Sequence, residues 1–345
     1  MATSDQRGAA PARRPPTIED VARLAGVSRG TVSRVLNGGR NVRPAVLDTV
    51  NAAIDALGYS VNQAARNLAR GRTGSIAFVI SEREERLFED PNFGLFVRVF
   101  SRQLRKNGRH LLMTTAQDEE EENFLGTYLT AGHVDGALLA LTHDEGPLLG
   151  QLLSNRLPLV VLGKPLGFED AFSWVAIDDE QAAFTVVSYL AGRVDGAIAT
   201  VTGPLHTSSG RERLDGYRRA LGDQFLPGLV ATGDWSLHSG RRGAEQLLAR
   251  DPGLRGLFVA SDLMAVGAIG ALREAGRRVP EDVAVVGFDN SAAATMVEPA
   301  LTTMRNPIEQ TALEALQILD DQIAGRARRP VHVLLASELV ERASA

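Results

Sequence analysis

From Ser75 onward, short apolar runs alternate with stretches that have the periodicity of amphipathic helices. Seven of these runs have the length and composition of buried strands: SIAFVI, HLLMTT, GALLAL, LPLVVL, ATVTG, GLFVAS and VAVVGF. Strand and helix repeated in this order predict an α/β fold of parallel sheets covered by helices. The runs form two groups, before and after about residue 177, so we expect two lobes. Because open parallel sheets bind ligands beyond the carboxyl ends of their strands, two facing lobes predict a cleft that closes on a ligand.

Charge is distributed unevenly along the chain. The 345 residues have a formal net charge of −5. Residues 1–72 contain eleven arginines against five acidic residues, so a small basic head precedes a larger acidic body. This asymmetry predicts a polyanion as the partner of the head. Cysteine is absent, which excludes disulfides, thiolate catalysis and cysteine-ligated metal centres.

We expect a cytoplasmic protein with no membrane segment. No run approaches the roughly 18 apolar residues that a membrane-spanning helix needs. Residues 1–16 lack the apolar core of a secretory signal, and their Pro, Ala and Arg content predicts a disordered arm.

The basic head has the pattern of three short helices. Thr17 and Asp20 predict a capping box at the start of the first helix, and Gly26 predicts its end. Ser28 opens a second helix, and Pro44 begins a third. Within the first helix, Ile18, Val21, Leu24 and Ala25 recur at helical spacing.

The second helix is the candidate for contact with DNA. In a helix-turn-helix motif the second helix lies in the major groove, where its outward side chains contact base edges. The outward positions are Arg29, Gly30, Ser33 and Arg34. Arg29 and Arg34 are therefore the candidates for base contacts. The competing interpretation is two solvated arginines on a surface helix, which the motif and the charge asymmetry argue against.

The chain resembles the lactose/galactose repressor family over roughly residues 16–340. In the head the resemblance is carried by TIEDVARLAGVSRGTVSRVLNG and RPAVLDTVNAAIDALGYSVNQAARNLARGRTGSIAFVI. It implies a helix-turn-helix domain over 17–61, a hinge helix and linker over 62–72, and a body over 73–345. The candidate DNA contacts are Thr17, Ser28, Arg29, Gly30, Thr31, Ser33, Arg34, Asn37, Asn62 and Leu68.

The hinge carries one expectation of its own. In this family the segment corresponding to residues 62–69 becomes helical on operator DNA and inserts a leucine into the minor groove, so the resemblance implies this role for Leu68. The alternative for Leu68 is ordinary helix packing. Val61 departs from the family pattern, since many members have proline there, and this predicts a less rigid entry to the hinge.

The body resembles the same family in TGPLHTSSGRERLDGY, GDWSLHSG, VASDLMAVGAIGAL, VPEDVAVVGFDN and PALTTMRNP. Bodies of this family look like periplasmic sugar-binding proteins: two lobes joined by three crossovers, with the effector between them. The implied lobe 1 covers about 75–176 and 305–335. The implied lobe 2 covers about 177–304 and 336–345.

The resemblance also implies an effector site, residue by residue. Arg213 corresponds to a position that holds a polar effector group, Trp235 to an aromatic that stacks on a sugar ring, and Asp289 to a carboxylate that accepts effector hydroxyls. The alternative for Trp235 is core packing. Ser261 belongs to the same cleft. Asp262, which opens a helix, is expected to be its N-cap, with contact to the ligand as the alternative.

Two departures leave the effector open. Lys164 follows Gly163 where several sugar-responsive members have an acidic residue, and we keep it as an effector-site candidate. The predicted first-lobe loop, SEREERLFEDPNF, is long and acidic. Phe93 at its end is a cleft candidate, with a core contact as an equal alternative.

Other classes of protein fit the sequence less well than a regulator. No GxSxG, HExxH or P-loop motif occurs, and the six histidines are scattered, so we expect no enzyme, cofactor or metal. A glycoside hydrolase stays open as an alternative, because its two catalytic carboxylates are paired in space and have no fixed spacing in the sequence. A transport binding protein would suit the body but not the head. A purine or nucleoside effector also stays open, although Trp235 favours a saccharide.

The sequence thus predicts a ligand-controlled transcription factor, expected to repress carbohydrate-use genes. Each head contacts one half-site, so a two-fold homodimer predicts an inverted-repeat operator. The C-terminal ELVERASA has no leucine heptads, so we expect no coiled-coil tetramer. The operator, the effector and the sign of its effect are not fixed by the sequence.

Overall fold

The computed structural model describes residue 14 and residues 16–36, 42–59, 72–81, 84–141 and 147–345. The chain divides into two compact units, Met1–Arg72 and Thr73–Ala345, called unit 1 and unit 2 below. The predictions for Asn37, Val61, Asn62 and Leu68 lie outside the described residues.

Unit 1 contains the three predicted helices. The Thr17 amide donates to the Asp20 carboxylate at 2.9 Å, which completes the expected capping box, and Gly26 ends the first helix with a φ of 65°. Val21, Val32 and Val50, one from each helix, are fully buried. The helices are α1 Ile18–Ala25, α2 Arg29–Leu36 and α3 Pro44–Leu57.

Leu24 does not share the buried face of α1. Its side chain is 55% exposed, whereas Ala22 in the same helix is buried. The buried stripe of α1 is centred on Val21, Ala22 and Ala25, and this turns Leu24 outward.

Unit 2 is built from parallel sheets covered by helices, as predicted. The strands are β1 Ser75–Ser81, β2 His110–Thr115, β3 Gly136–Leu141, β4 Leu159–Leu162, β5 Ser173–Ile177, β6 Ile198–Thr202, β7 Val230–Thr232, β8 Gly256–Val259, β9 Ala284–Asp289, β10 Thr302–Arg305, β11 His332–Leu335 and β12 Leu339–Val340. The helices are α4 Glu84–Glu89, α5 Pro91–Lys106, α6 Glu119–Thr130, α7 Pro147–Leu153, α8 Asp179–Ala191, α9 Ser208–Leu221, α10 Leu237–Arg250, α11 Asp262–Glu274, α12 Ala293–Met296 and α13 Ile308–Ile323.

Two six-stranded sheets organise the described part of unit 2. Sheet 1 has the order β11-β5-β4-β3-β1-β2, and sheet 2 has the order β12-β10-β9-β8-β6-β7. All pairings are parallel except that of β10 with β12. The chain passes between the sheets three times, after β5, β10 and β11, in agreement with the crossovers that the family resemblance implied.

Helices cover both faces of sheet 1. The alternating side chains of β1 show this, because Phe78 packs in the apolar cluster that contains α5, whereas Ala77 and Val79 pack in the cluster that contains α6. Sheet 2 has a single large apolar cluster. Among the described residues, no helix is long and apolar enough to cross a membrane.

Candidate DNA interface and effector site

The predicted outer face of α2 is exposed. Arg29, Gly30 and Arg34 lie at the surface, and the side chain of Arg29 is 72% exposed. Val32 and Val35 on the opposite face are buried against the core of unit 1. The helix therefore presents two arginine side chains to solvent, as contact with the major groove requires.

Local contacts hold several of the candidate DNA-binding side chains. Arg29 Nε lies 3.4 Å from the Glu19 carboxylate, and Arg34 Nε donates to the Gly30 carbonyl at 3.4 Å. The hydroxyl of Ser28 accepts from the Thr31 amide at 3.2 Å, at the start of α2. Thr17 caps α1, while Ser33 is half-buried. Ser28 and Thr17 thus stabilise helix starts, and their contact with DNA stays a prediction.

In unit 2 the effector-site candidates gather where strands end. Lys164 follows β4, Trp235 follows β7, Ser261 follows β8, and Asp289 is the last residue of β9. Asp179, which was not predicted from the sequence, begins α8 just after β5. These are carboxyl ends of parallel strands, where ligands of open α/β sheets bind.

Arg213 on α9 is the centre of this group. It is 6% exposed, its Nε donates to the Asp179 carboxylate at 2.7 Å, and its Nη1 donates to the Ala260 carbonyl at 2.6 Å. Nη1 also lies 3.8 Å from the Asp289 carboxylate. The guanidinium carbon is 3.6 Å from the centre of the Phe288 ring, a cation–π contact. A buried arginine thus joins two carboxylates and an aromatic ring.

Trp235 belongs both to the core and to this group. Its side chain is 9% exposed and packs in the apolar core of sheet 2. The Arg213 guanidinium lies 5.3 Å from its ring centre. The ring crosses Gly203 so closely that a Cβ there would come within 2.1 Å of it, so only glycine fits at 203. We call Asp179, Arg213, Trp235, Phe288 and Asp289 the Arg213 cluster.

Burial changes the acidity of both carboxyls in the cluster. Burial raises the pKa of Asp179, against the opposing effect of the Arg213 charge. Burial raises the pKa of Asp289 more strongly, again opposed by Arg213, and the nearby carboxyls of Asp262 and Asp90 raise it further. Asp289 has a φ of 113°, and its side chain accepts from Asn306 at 3.4 Å. Such a strained, desolvated carboxylate is typical of functional sites.

The prediction that Asp262 caps a helix is wrong. Ser261 is the N-cap of α11, and its hydroxyl accepts from the Met264 amide at 3.3 Å. Asp262 is the first residue of the helix and is fully buried. Its carboxylate accepts from the Thr303 hydroxyl at 2.6 Å and from the Ser291 amide at 2.7 Å. The carboxylate therefore faces β10 and the loop after β9 instead of its own helix.

Lys164 joins the two lobes. Its Nζ donates to the Glu212 carboxylate at 2.7 Å, and each side chain is about three-quarters buried. Lys164 follows a strand of sheet 1, whereas Glu212 is on α9, which follows a strand of sheet 2. Burial raises the pKa of Glu212, and the Lys164 charge opposes this effect. The sequence did not single out Glu212, because a glutamate on a helix gives the same hydropathy pattern whether it is exposed or pairs with a side chain from another element.

The long first-lobe loop is largely helical, which corrects the expectation for it. It contains α4 and the start of α5, because Asp90 caps α5 and Pro91 occupies its first position. Phe93 is therefore in the first turn of α5, 8% exposed, within the apolar core of sheet 1. Asp90, at the start of this helix, is near enough to Asp289 for its charge to raise the pKa of that carboxyl. The described residues contain no group of three or more side chains arranged to hold a metal ion.

The fold and these sites define a class: a transcriptional regulator with a helix-turn-helix DNA-binding unit and a periplasmic-binding-protein-like body. Residues 17–62 match the bacterial regulatory proteins of the lacI family, and residues 187–345 match the periplasmic binding protein-like domain. The transcriptional regulator CelR of Thermobifida fusca is 41% identical over 336 residues, covering 96% of this chain and 99% of that protein. The ribose operon repressor of Escherichia coli K12 is 32% identical, covering 95% and 99%. The chain belongs to the lacI family.

Solved structures agree with this assignment. A CelR–cellobiose complex superposes with a TM-score of 0.77 at 40% identity and covers 96% of this chain and 100% of that one. The lac repressor dimer bound to operator and the anti-inducer ONPF superposes with a TM-score of 0.85 at 27% identity and covers 96% and 99%.

Proposed function

We propose that the protein is a homodimeric repressor of carbohydrate-use genes whose affinity for an inverted-repeat operator is controlled by a saccharide. This proposal rests mainly on the Arg213 cluster. There a buried guanidinium, the buried Asp289 carboxylate and an indole meet at the carboxyl ends of the strands of sheet 2. Sugars offer vicinal hydroxyls for charged groups and a weakly apolar face for an aromatic ring. Arg213, Trp235, Ser261 and Asp289 are the proposed contacts.

A disaccharide of the cellobiose type is the favoured effector. The solved complex of CelR contains cellobiose, and CelR shares 41% identity with nearly the whole of this chain. Lys164 and Glu212 add a second charged pair beside the Arg213 cluster, which suits a ligand longer than one sugar ring. Phe93 lies in the apolar core of sheet 1, so we assign it to packing.

On the DNA side, Arg29 and Arg34 are the proposed base contacts, with Gly30, Ser33 and Thr31 on the same helix. Asn37, Asn62 and Leu68 complete the proposed interface by family resemblance. Two heads on an inverted repeat require a dimer, the assembly in which the lac repressor was solved on its operator. By linkage, an inducer must bind the DNA-free arrangement more tightly, and DNA must weaken inducer binding by the same factor.

We infer that the chain is not an enzyme. The carboxylates of Asp179 and Asp289 both interact with Arg213, so neither is placed as a free acid or base for glycoside hydrolysis. A repressor acts where the chromosome is, in the bacterial cytoplasm.

The test is calorimetric titration of the full chain with cellobiose, ribose and guanine, each followed by operator-binding measurements. Saturable binding of cellobiose that changes operator affinity supports the proposal. Binding of guanine alone would replace the saccharide with a purine effector. Binding without any change in operator affinity would refute ligand control.

A further inference from the structure

A cavity distinct from the effector site lies at the amino ends of three strands of sheet 1. β4, β5 and β11 are neighbours that run in the same direction, and the segments before them line a cavity of about 280 Å³. The effector-site residues Lys164 and Asp179 lie beyond the carboxyl ends of β4 and β5 instead. The five residues of β5, about 15 Å in length, therefore separate the cavity from this side of the effector site.

Three exposed arginines line this cavity without ion-pair partners. Arg156 precedes β4, while Arg328 and Arg329 precede β11. Within the described residues, no acidic side chain lines the cavity, and Asp321 of α13 pairs with Arg326 instead. The rest of unit 2 is rich in carboxylates, so three unpaired positive charges around one cavity create a local potential that attracts anions.

The wall of the cavity also has polar atoms that the protein does not use. The Ser173 hydroxyl is buried and accepts from the Gln322 side-chain amide at 2.9 Å and from the Val331 amide at 3.0 Å. Its own proton has no acceptor in the part of the chain that the structure describes. Gln322 Oε1 is buried, and no described residue donates to it. A ligand hydroxyl at this wall would therefore gain both a donor and an acceptor.

We propose that this cavity is a second small-molecule site, which binds a phosphorylated monosaccharide. A phosphate monoester carries nearly two negative charges at neutral pH, and guanidinium groups bind its oxygens through paired hydrogen bonds. The sugar hydroxyls match Ser173 and Gln322, and the weakly apolar face of the ring matches Leu157 and Phe172, which also line the cavity. The volume is close to the lower limit of small-molecule sites, about 300 Å³, which suits one sugar ring with its phosphate better than a disaccharide.

This site does not depend on the proposed function. It shares no residue with the Arg213 cluster, and the strands of sheet 1 separate it from Lys164 and Asp179. The chain is therefore expected to bind a phosphorylated monosaccharide and an uncharged saccharide at the same time.

Calorimetric titration of the full chain with glucose 6-phosphate and with ribose 5-phosphate tests the site, with inorganic phosphate for comparison. At least one of the two esters should bind saturably, more tightly than inorganic phosphate, and with the same affinity when cellobiose is present in excess. The variant Arg156→Gln and the double variant Arg328→Gln with Arg329→Gln should each bind the ester at least about tenfold more weakly, because each loses charge-assisted hydrogen bonds.

Arg273→Gln is the matched control and should leave ester binding unchanged. Arg273 is an exposed arginine of α11 that does not line the cavity, and it too has no ion-pair partner among the residues described. Circular dichroism checks that each variant is folded.

Four results would overturn the proposal. If neither ester binds at millimolar concentration, or if Arg273→Gln weakens binding as much as Arg156→Gln, the cavity is not a site for these ligands. Inorganic phosphate that binds as tightly as the esters would remove the sugar from the proposal. Ester binding that excess cellobiose abolishes would place the ester at the Arg213 cluster. Cavity variants that weaken operator binding but leave ester binding intact would assign these arginines to the DNA backbone.

Discussion

The Arg213 guanidinium and the Asp179 carboxylate form a 2.7 Å ion pair from which solvent is almost excluded. The pair joins α9 to the start of α8, and the same guanidinium reaches Asp289 at the end of β9. Buried ion pairs contribute little net stability compared with apolar residues of the same volume, because both charges lose their hydration. Their presence at the strand ends is therefore best explained by a charged or strongly polar ligand.

Replacing Arg213 is expected to destabilise the protein and to abolish its response to the effector. Arg213→Met leaves two buried carboxylates without their cation, which should cost about 3–5 kcal/mol in the free energy of unfolding. Urea unfolding of the full chain measures this loss. Arg218→Met on the same helix is the control, since its exposed pair with Asp215 contributes about 1 kcal/mol or less. Equal losses for the two variants would contradict the role of Arg213 as the centre of the cluster.

The two tryptophans allow the effector to be located by fluorescence. Trp235 borders the Arg213 guanidinium. Trp174 lies in sheet 1, where it stacks on His332 of the edge strand β11 and donates to the Glu169 carbonyl. Trp174→Phe should keep the emission change on saccharide binding, and Trp235→Phe should lose it. A change that disappears in Trp174→Phe would place the ligand elsewhere.

Replacing Arg34 tests the DNA interface. The side chain is exposed on α2 and, among the described residues, donates a long hydrogen bond to the Gly30 carbonyl, so we expect it to be available for a base contact. Arg34→Ala should cost about 1–3 kcal/mol on the selected operator and relax its sequence preference. Fluorescence anisotropy with operator and random duplexes measures both. Arg23→Ala, an exposed arginine of α1 paired with Asp20, is the matched control. Equal losses on both duplexes would reduce Arg34 to a phosphate contact.

The buried Asp262 carboxyl makes stability depend on pH. Burial raises its pKa to about 7, against the opposing hydrogen bonds from Thr303 and Ser291. The folded state therefore holds a proton that the unfolded chain has lost above about pH 4. Since the unfolded state binds fewer protons in this range, the free energy of unfolding falls as the pH rises from about 4 to about 7. The urea midpoint of Asp262→Asn should fall less between about pH 5 and about pH 8 than that of the unmodified chain. Parallel pH profiles would contradict this assignment.

The sequence was sufficient for the architecture because the central strands are continuous apolar runs. β1, β3, β4 and β9 were predicted, since burial on both faces requires apolar residues at every position. β5, β7, β10, β11 and β12 were not predicted, because they are short or contain exposed or polar residues. Three of these five lie at sheet edges, where one side of the strand lacks a partner within the described residues.

The site was predicted less completely than the fold. Arg213, Trp235 and Asp289 followed from the family resemblance, and the structure brings them together. Asp179 and Glu212 were missed because their partners are 34 and 48 residues away in the sequence, and no local pattern marks such pairs. The start of α11 was misplaced by one residue. As a result the capping role was given to Asp262, which is buried, instead of Ser261.

The most direct test of the account is selection of bound sequences from a random duplex pool by the full chain, repeated with cellobiose, ribose and guanine present. The account predicts an inverted repeat whose recovery changes with cellobiose and is indifferent to guanine. An unenriched pool, or a repeat whose recovery no saccharide alters, would contradict a sugar-controlled repressor.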